Sequence, residues 1–328
     1  MRAALIGSVD SSLVALEHLA GSAIELVGVA GFEPQDTSKV SGWSDLRTAC
    51  ESDGIEYVAF TKVNDATMVE WLRGLDLDFL FVVGLSQLIS EEVISSARVG
   101  CVGYHPTQLP LGRGRAPVAW VTLGQVPGAS TLFEIMPGAD EGGILEQVRF
   151  DVQDDWDAGD VSAECSRTLG VALDRLVPRL AAGWWVPAPQ DESRATWIGK
   201  RVAQDGLVDW TRSAQEVDRL IRAAAAPHPG AYCYNAGRRL QVPRSLGPVE
   251  QPRHRGVVGK VLHGDGESYL VQCGDGVVGV VITDEDGNHV HLREGAMLRT
   301  RVEDELFALR GRLDELERKV ERLLGSRC

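Results

Sequence analysis

Positive charge is scarce in this chain: 33 Lys and Arg stand against 47 Asp and Glu, a formal net charge of −14. Long nucleic acids are held by surfaces rich in Lys and Arg, so the balance weighs against RNA or DNA, tRNA included, as a partner. Paired cysteines are also missing. Cys50, Cys101, Cys165, Cys233, Cys273 and Cys328 show no CxxC and no short spacing, which speaks against a zinc site or a disulfide framework and leaves thiols suited to a reducing cytoplasm. No apolar run reaches the roughly 18 residues of a membrane span, and the apolar start is too short for a signal peptide. A cytoplasmic protein with no metal is expected. The chain also lacks GxGxxG, so a dinucleotide site is weakly supported.

What is present suits two folded units and a tail. The 328 residues exceed what one core usually serves, and the composition, 44% hydrophobic and 24% charged, is that of an ordinary globular protein. Through about residue 152, short apolar runs alternate with amphipathic stretches, the pattern of βαβ units. Strands are expected at Ala3–Ile6, Ile24–Ala30, Tyr57–Phe60, Phe79–Val83 and Cys101–Tyr104, then near Ser130–Met136 and Ile144–Val152. The fold class is therefore α/β, a doubly wound, mostly parallel sheet. A helical pattern over Ala158–Ala182 ends at Gly183-Trp-Trp-Val-Pro-Ala-Pro189, where Gly and Pro break it. Residues 1–188 are assigned to one domain and 189–300 to a smaller β-barrel-like one, with a helix around Ala214–Ala225, strands at Gly256–Leu262, Tyr269–Cys273 and Val277–Ile282, and turns at Asn235-Ala-Gly237 and Asp284-Glu-Asp-Gly287.

Residues 301–328 repeat apolar side chains at Val302, Leu306, Leu309, Leu313, Leu316, Val320 and Leu323, the spacing of a coiled-coil seam. With Leu306, Leu313 and Val320 as a positions, Glu305, Arg312 and Lys319 fall at g and Glu303, Arg310 and Glu317 at e. A parallel pair then matches Glu305 with Arg310, and Arg312 with Glu317, of a second copy. A homodimer through residues 302–323 is expected; a helix packed on its own domain is the alternative.

A doubly wound sheet binds ligands beyond the C-terminal ends of its strands. Three loops qualify. Gly7-Ser8-Val9-Asp10-Ser11-Ser12 offers backbone N–H groups for an anion, with Ser8 and Ser11 as acceptor contacts, or serves merely as a helix cap. The second loop follows Val83. The third, after Tyr104, sets His105 among Pro106, Pro110, Gly112 and Gly114, and a further loop, Gly138-Ala-Asp140-Glu-Gly-Gly-Ile144, carries Asp140. Brought together, His105 and Asp140 make an acid/base pair. Arg113 and Arg115 present planar donors for a phosphate or carboxylate.

The stretch Gly103-Tyr-His105-Pro-Thr107-Gln-Leu-Pro110 with Asp140-Glu-Gly-Gly-Ile144 resembles the formyltransferases that use 10-formyltetrahydrofolate, whose pattern is Asn-x-His-Pro-Ser-x-Leu-Pro followed by Asp-x-Gly-x-Ile. The resemblance extends through Gly84-Leu-Ser-Gln87-Leu88-Ile89-Ser90-Glu-Glu-Val93, Trp197–Trp210 and Ile221–Ala231, nearly all of residues 1–300. It implies 10-formyltetrahydrofolate as donor, held by Gln87, Leu88, Ile89, Ser90, Gly138 and Asp140, with main-chain groups pairing to the pterin edge. It implies His105 as base and Asp140 as the residue that orients it and passes protons. Ser8, Ser11, Tyr104, Thr107, Arg113 and Arg115 are the acceptor contacts, and a nucleotide-linked amino sugar is the acceptor. Methionyl-tRNA, water in a hydrolase, and a non-catalytic folate-binding scaffold are the alternatives. The family asparagine, an oxyanion donor, stands here as Gly103. Gln87, Tyr104, Thr107, Gln108 and protonated His105 are the candidates to replace it.

Overall fold

The computed structural model describes residues 1–37, 40–298 and 302–325. The chain divides into two compact units, residues 1–203 with 225–229, and residues 204–224 with 230–328.

Apolar runs bounded by Gly and polar turns build the first unit. Its strands are β1 (Arg2–Gly7), β2 (Glu25–Phe32), β3 (Tyr57–Phe60), β4 (Leu77–Val83) and β5 (Ala97–His105), with helices α1 (Asp10–Ala20), α2 (Leu46–Asp53), α3 (Ala66–Gly74) and α4 (Glu91–Ile94) between them. A two-residue strand β6 (Arg113–Gly114), helix α5 (Pro117–Thr122), strands β7 (Ala129–Glu134) and β8 (Ile144–Arg149), helix α6 (Ala158–Ala181) and strand β9 (Trp197–Ile198) follow. Seven strands form one sheet in the order β3-β2-β1-β4-β5-β7-β8. The first five are parallel and β7 and β8 antiparallel. β4 is buried along its whole length, as a central parallel strand requires.

Each face of the sheet carries its own core. On one, Leu5, Val29, Phe79, Phe81 and Val102 pack against α1 and α6; on the other, Ile6, Ala30, Leu80, Val82 and Cys101 pack against α3 and α4. Residue order alternates the faces along each strand, so on β5 Cys101, Gly103 and His105 share one face while Val102 and Tyr104 share the other. Trp185 stacks on Phe79 with ring centroids 5.8 Å apart. Residues 189–198 stay with the first unit, because β9 pairs with β6.

The second unit holds α7 (Ala214–Ala224) and β10 (Ala231–Asn235), β11 (Arg238–Pro248), β12 (Val261–Gly264), β13 (Tyr269–Gln272) and β14 (Val277–Thr283), an antiparallel sheet in the order β10-β11-β14-β13-β12. Trp210, Ile221, Leu240, Tyr269, Ile282 and Leu298 fill its core. The turn at Asn235-Ala-Gly237 is a two-residue hairpin with φ +48° and +78° at Ala236 and Gly237, the twist that tight hairpins favour. The strand expected from Gly256 starts only at Val261, because Gly259 turns at φ +82° and the Lys260 N–H bonds the Val257 carbonyl. α8 (Val302–Gly325) ends the described chain. Its Leu306, Leu309, Leu313, Leu316 and Val320 are each more than half exposed. The side chains of Val302, Glu303, Glu305 and Leu323, also named for the seam and its flanks, lie outside the described residues, as does Cys328.

Candidate active site

β1, β4 and β5 lie side by side, so the loops after Gly7, Val83 and His105 leave the same edge of the sheet. β1 is where strand order reverses, the usual ligand crevice of such sheets.

His105 closes β5 and is 5% exposed. Its Nε2 lies 2.8 Å from the Gly112 carbonyl oxygen. A carbonyl only accepts, so Nε2 is the nitrogen that carries the hydrogen and Nδ1 holds the free lone pair. Nδ1 faces the Asp140 carboxylate, with Oδ2 at 3.7 Å. That separation is too long for a hydrogen bond, and it becomes an ion pair only when the imidazole is protonated. The arrangement leaves one basic nitrogen and one carboxylate facing the same space.

Asp140 is placed by its neighbours. It adopts a left-handed backbone, φ +58°, which Asp tolerates better than most residues. Its Oδ2 accepts the Gly114 N–H at 2.8 Å. Gly114 has φ +118°, and a Cβ there would lie 2.4 Å from the Ile198 carbonyl oxygen, so only glycine brings β6 against β9 and its amide to Asp140. Thr196 ties the same loop down: its hydroxyl accepts the Gly112 N–H at 2.9 Å and its carbonyl the Arg113 N–H at 2.9 Å.

Arg113 is not an acceptor contact. It is completely buried, and its guanidinium is spent on Gln190 and Glu192, with contacts from 2.6 to 3.2 Å. The hydrogen bond from Arg113 holds the Glu192 carboxyl below its ordinary range. Arg115 is exposed and stays available. Tyr104 leaves the site as well. It points to the opposite face from His105, where its hydroxyl meets Ser130 Oγ at 3.3 Å and burial pushes its pKa well up. Thr107 is buried, and its hydroxyl donates to the carbonyls of Leu111 and Gly112.

The expected pterin loop is clamped from beneath. Gln87 accepts the Val63 N–H at 3.0 Å and donates to the Thr61 carbonyl at 3.0 Å. Asn64, which the sequence did not single out, donates to the Leu88 carbonyl and accepts the Ser90 N–H, both at 2.9 Å. Ser90 caps α4, Ile89 packs on the core, and Leu88 is 75% exposed. Gln87 is therefore a support, its oxygen and one amide N–H spent on residues 61–63. Gly138 opens the Asp140 loop beside the Glu141 carboxylate.

The first loop closes on itself. Ser12 Oγ accepts the Ser8 and Val9 N–H groups at 2.9 and 3.1 Å and donates to the Val83 carbonyl, while the Asp10 N–H bonds the Gly42 carbonyl. The Ser8, Val9, Asp10 and Ser12 N–H groups of the expected anion cradle are thus spent internally. Ser8 is buried, with its hydroxyl on the Gly84 carbonyl; Ser11 is partly exposed.

At Gly103 the space of a side chain is already filled. A Cβ there would meet Phe133 Cζ at 2.8 Å and Ile135 Cγ1 at 2.9 Å, and Phe133 is its direct cross-strand partner. With Gln87, Tyr104 and Thr107 also committed elsewhere, His105 and Gln108 are what remains of the replacements. Among the described residues no cluster of His, Cys, Asp or Glu suits a metal ion, and no helix is long and apolar enough to cross a membrane. The five described cysteines are buried and unpaired, and burial pushes the Cys101 and Cys165 thiols up to about 12.

Two family models match the sequence: formyl transferase over residues 35–172, which spans His105 and Asp140, and formyl transferase, C-terminal domain, over residues 201–295. The chain belongs to the formyl transferase family. Solved structures agree on the fold. A sugar 3N-formyl transferase, WlaRD, crystallised in the presence of dTDP and 5-N-formyl-THF, superposes with a TM-score of 0.66 at 14% identity, covering 86% of this chain and 97% of that one. An N-formyltransferase from Helicobacter canadensis, complexed with folinic acid and dTDP-3-aminofucose, gives 0.64 at 13% identity, covering 86% and 98%. HypX from Aquifex aeolicus gives 0.60 at 18% identity, covering 87% of this chain and 46% of its own.

Proposed function

We propose that this formyl transferase family member moves a formyl group from 10-formyltetrahydrofolate to the amine of a small acceptor, a nucleotide-linked amino sugar. The observation that carries the reading is the paired orientation of His105 and Asp140: Gly112 fixes the histidine tautomer so that the basic Nδ1 and the carboxylate face one space. Two relatives of the same fold are sugar N-formyltransferases crystallised with formyl-folates, and the net charge of −14 favours a small acceptor over tRNA.

In this reading the acceptor nitrogen attacks the formyl carbon and His105 Nδ1 takes the proton that nitrogen must lose. Asp140 offsets the charge of the imidazolium, which then returns the proton toward the folate nitrogen as its bond to the formyl carbon breaks. The products are a formamide and tetrahydrofolate. The 84–90 loop, held rigid by Gln87 and Asn64, presents its remaining main-chain groups to the pterin edge, and Arg115 and Ser11 face the acceptor. The exposed seam of α8 is the contact between two copies, its g and e charges paired as Arg312 with Glu317.

Calorimetric titration with 5-formyltetrahydrofolate tests the donor half. Micromolar binding, near −8 kcal/mol, is expected, and formylation of nucleotide-linked amino sugars with the true donor should follow. Absence of folate binding would reduce the reading to a statement about fold. Formate release without an acceptor would identify a hydrolase.

A further inference from the structure

A completely buried arginine on the loop that follows a catalytic histidine needs an explanation, because burying a guanidinium is costly unless its hydrogen bonds are met. Arg113 Nε and Nη2 both donate to Gln190 Oε1, at 3.2 and 2.9 Å, and Nη1 and Nη2 donate to the two Glu192 oxygens at 2.9 and 2.6 Å. A guanidinium has donors only, so the Gln190 oxygen must face it and the amide nitrogen must face away. On that far side the nitrogen donates to the Asp140 carbonyl at 2.8 Å and the Gly142 carbonyl at 2.7 Å. The left-handed turn that aims the Asp140 carboxylate is thus gripped on both sides by an amide whose orientation Arg113 dictates. Gly114, the residue after Arg113, grips the carboxylate itself.

We propose that Arg113 and Gln190 are positioning residues for Asp140, with Arg113 acting through Gln190; this rests on the formyl-transfer reading above. Neither touches the reacting atoms. Their effect falls on the rate of proton transfer and leaves the affinity for the acceptor alone.

Gln190→Met keeps the length of the side chain, leaves Arg113 its Glu192 partner and removes both donors to the Asp140 loop. Supporting residues of this kind typically matter by about 10- to 100-fold. The expected result is a kcat lowered by about that factor, a KM for the acceptor within about two-fold of the wild type, an altered pH–rate profile, and faster hydrogen exchange across residues 138–143. Arg113→Met, which removes both donors to the Gln190 oxygen and leaves the exposed Glu192 unpaired, should reproduce the kcat loss. The double variant Arg113→Met/Gln190→Met should be no slower than Gln190→Met alone, since the two act in series. In an Asp140→Ala background Gln190→Met should cost nothing further. Unchanged exchange at 138–143, a kcat within two-fold of wild type, or additive losses in the double variant would overturn the proposal. A wild-type chain that neither binds folate nor turns over would sink the formyl-transfer reading instead, and the exchange measurement would still decide whether Gln190 holds the loop.

Discussion

Two loops at the same sheet edge use their polar atoms in opposite ways. After β1, Ser12 collects the N–H groups of Ser8 and Val9 and the Val83 carbonyl, and Gly42 takes Asp10. After β5 the internal bonds are as dense, but they end by turning two groups outward from the network, His105 Nδ1 and the Asp140 carboxylate. A loop rich in Ser and Gly is therefore no site by composition. What makes a site is the atom left over after the fold has satisfied the rest.

The comparison breaks most clearly if the leftover atoms do not matter. His105→Ala and Asp140→Ala should each lower kcat by at least about 100-fold, the usual worth of an acid/base group, with circular dichroism unchanged. Retention of more than about a tenth of the wild-type rate would remove the mechanism. A smaller effect is expected at Gly103. Gly103→Asn forces a side chain against Phe133 and Ile135, so denaturant unfolding should show a loss of about 1–3 kcal/mol, the range for overpacking, and no gain in rate. A rise in kcat would mean that the pocket had room for an amide and that activity had lapsed with its loss. In the β1 loop, Ser12→Ala strands the buried Ser8 N–H and the part-buried Val9 N–H, which costs about 1–3 kcal/mol and should leave KM for donor and acceptor unchanged. A KM effect there would restore the anion-site reading of Ser8 and Ser11. Deleting residues 301–328 should halve the mass measured by light scattering and leave kcat alone; an unchanged mass removes the dimer.

The first unit was largely legible because parallel strands buried on both faces must read as apolar runs: Tyr57–Phe60 matches the structure residue for residue, and the others lie within a few positions. β11 was missed. Arg238, Arg239, Pro243 and Arg244 interrupt its pattern, and the pairing with β14 is irregular between Gln241 and Arg244, so only Leu240 and Val242 show the buried alternation. At the site, the pairing of His105 with Asp140 could be read from the motif. The exclusion of Tyr104 was available too, since neighbours on a strand face opposite ways. Arg113 was misread because sequence cannot tell an exposed guanidinium from a buried one. Asn64 and Gln190 gave no signal, because each works through contacts 24 to 77 residues away in the chain.

His228 sharpens the comparison at its smallest scale. Like His105 it carries a leftover atom: among the described residues its buried Nε2 has no partner. Burial, together with the positive charge of Arg201, lowers its pKa from the ordinary 6.5. The leftover atom is then a burden on the fold instead of a tool. The unfolded chain takes up this proton near pH 6.5 and the folded chain only at lower pH, so stability is constant above about 6.5 and declines as pH falls toward the folded value, by at most about 1.4 kcal/mol per pH unit. Asp78, held low by the Arg2 N–H and Arg98, and Glu164, held low by Arg167, lose their contributions in a separate window, below their ordinary 3.8 and 4.5. Thermal unfolding of the wild type should therefore weaken between pH 7.5 and 5.5, and His228→Gln should flatten that interval while leaving the acid limb below about pH 4 in place. An unchanged slope between pH 7.5 and 5.5 in the variant would mean that His228 is protonated as readily in the folded chain as in the unfolded one, and that its Nε2 has found a partner after all.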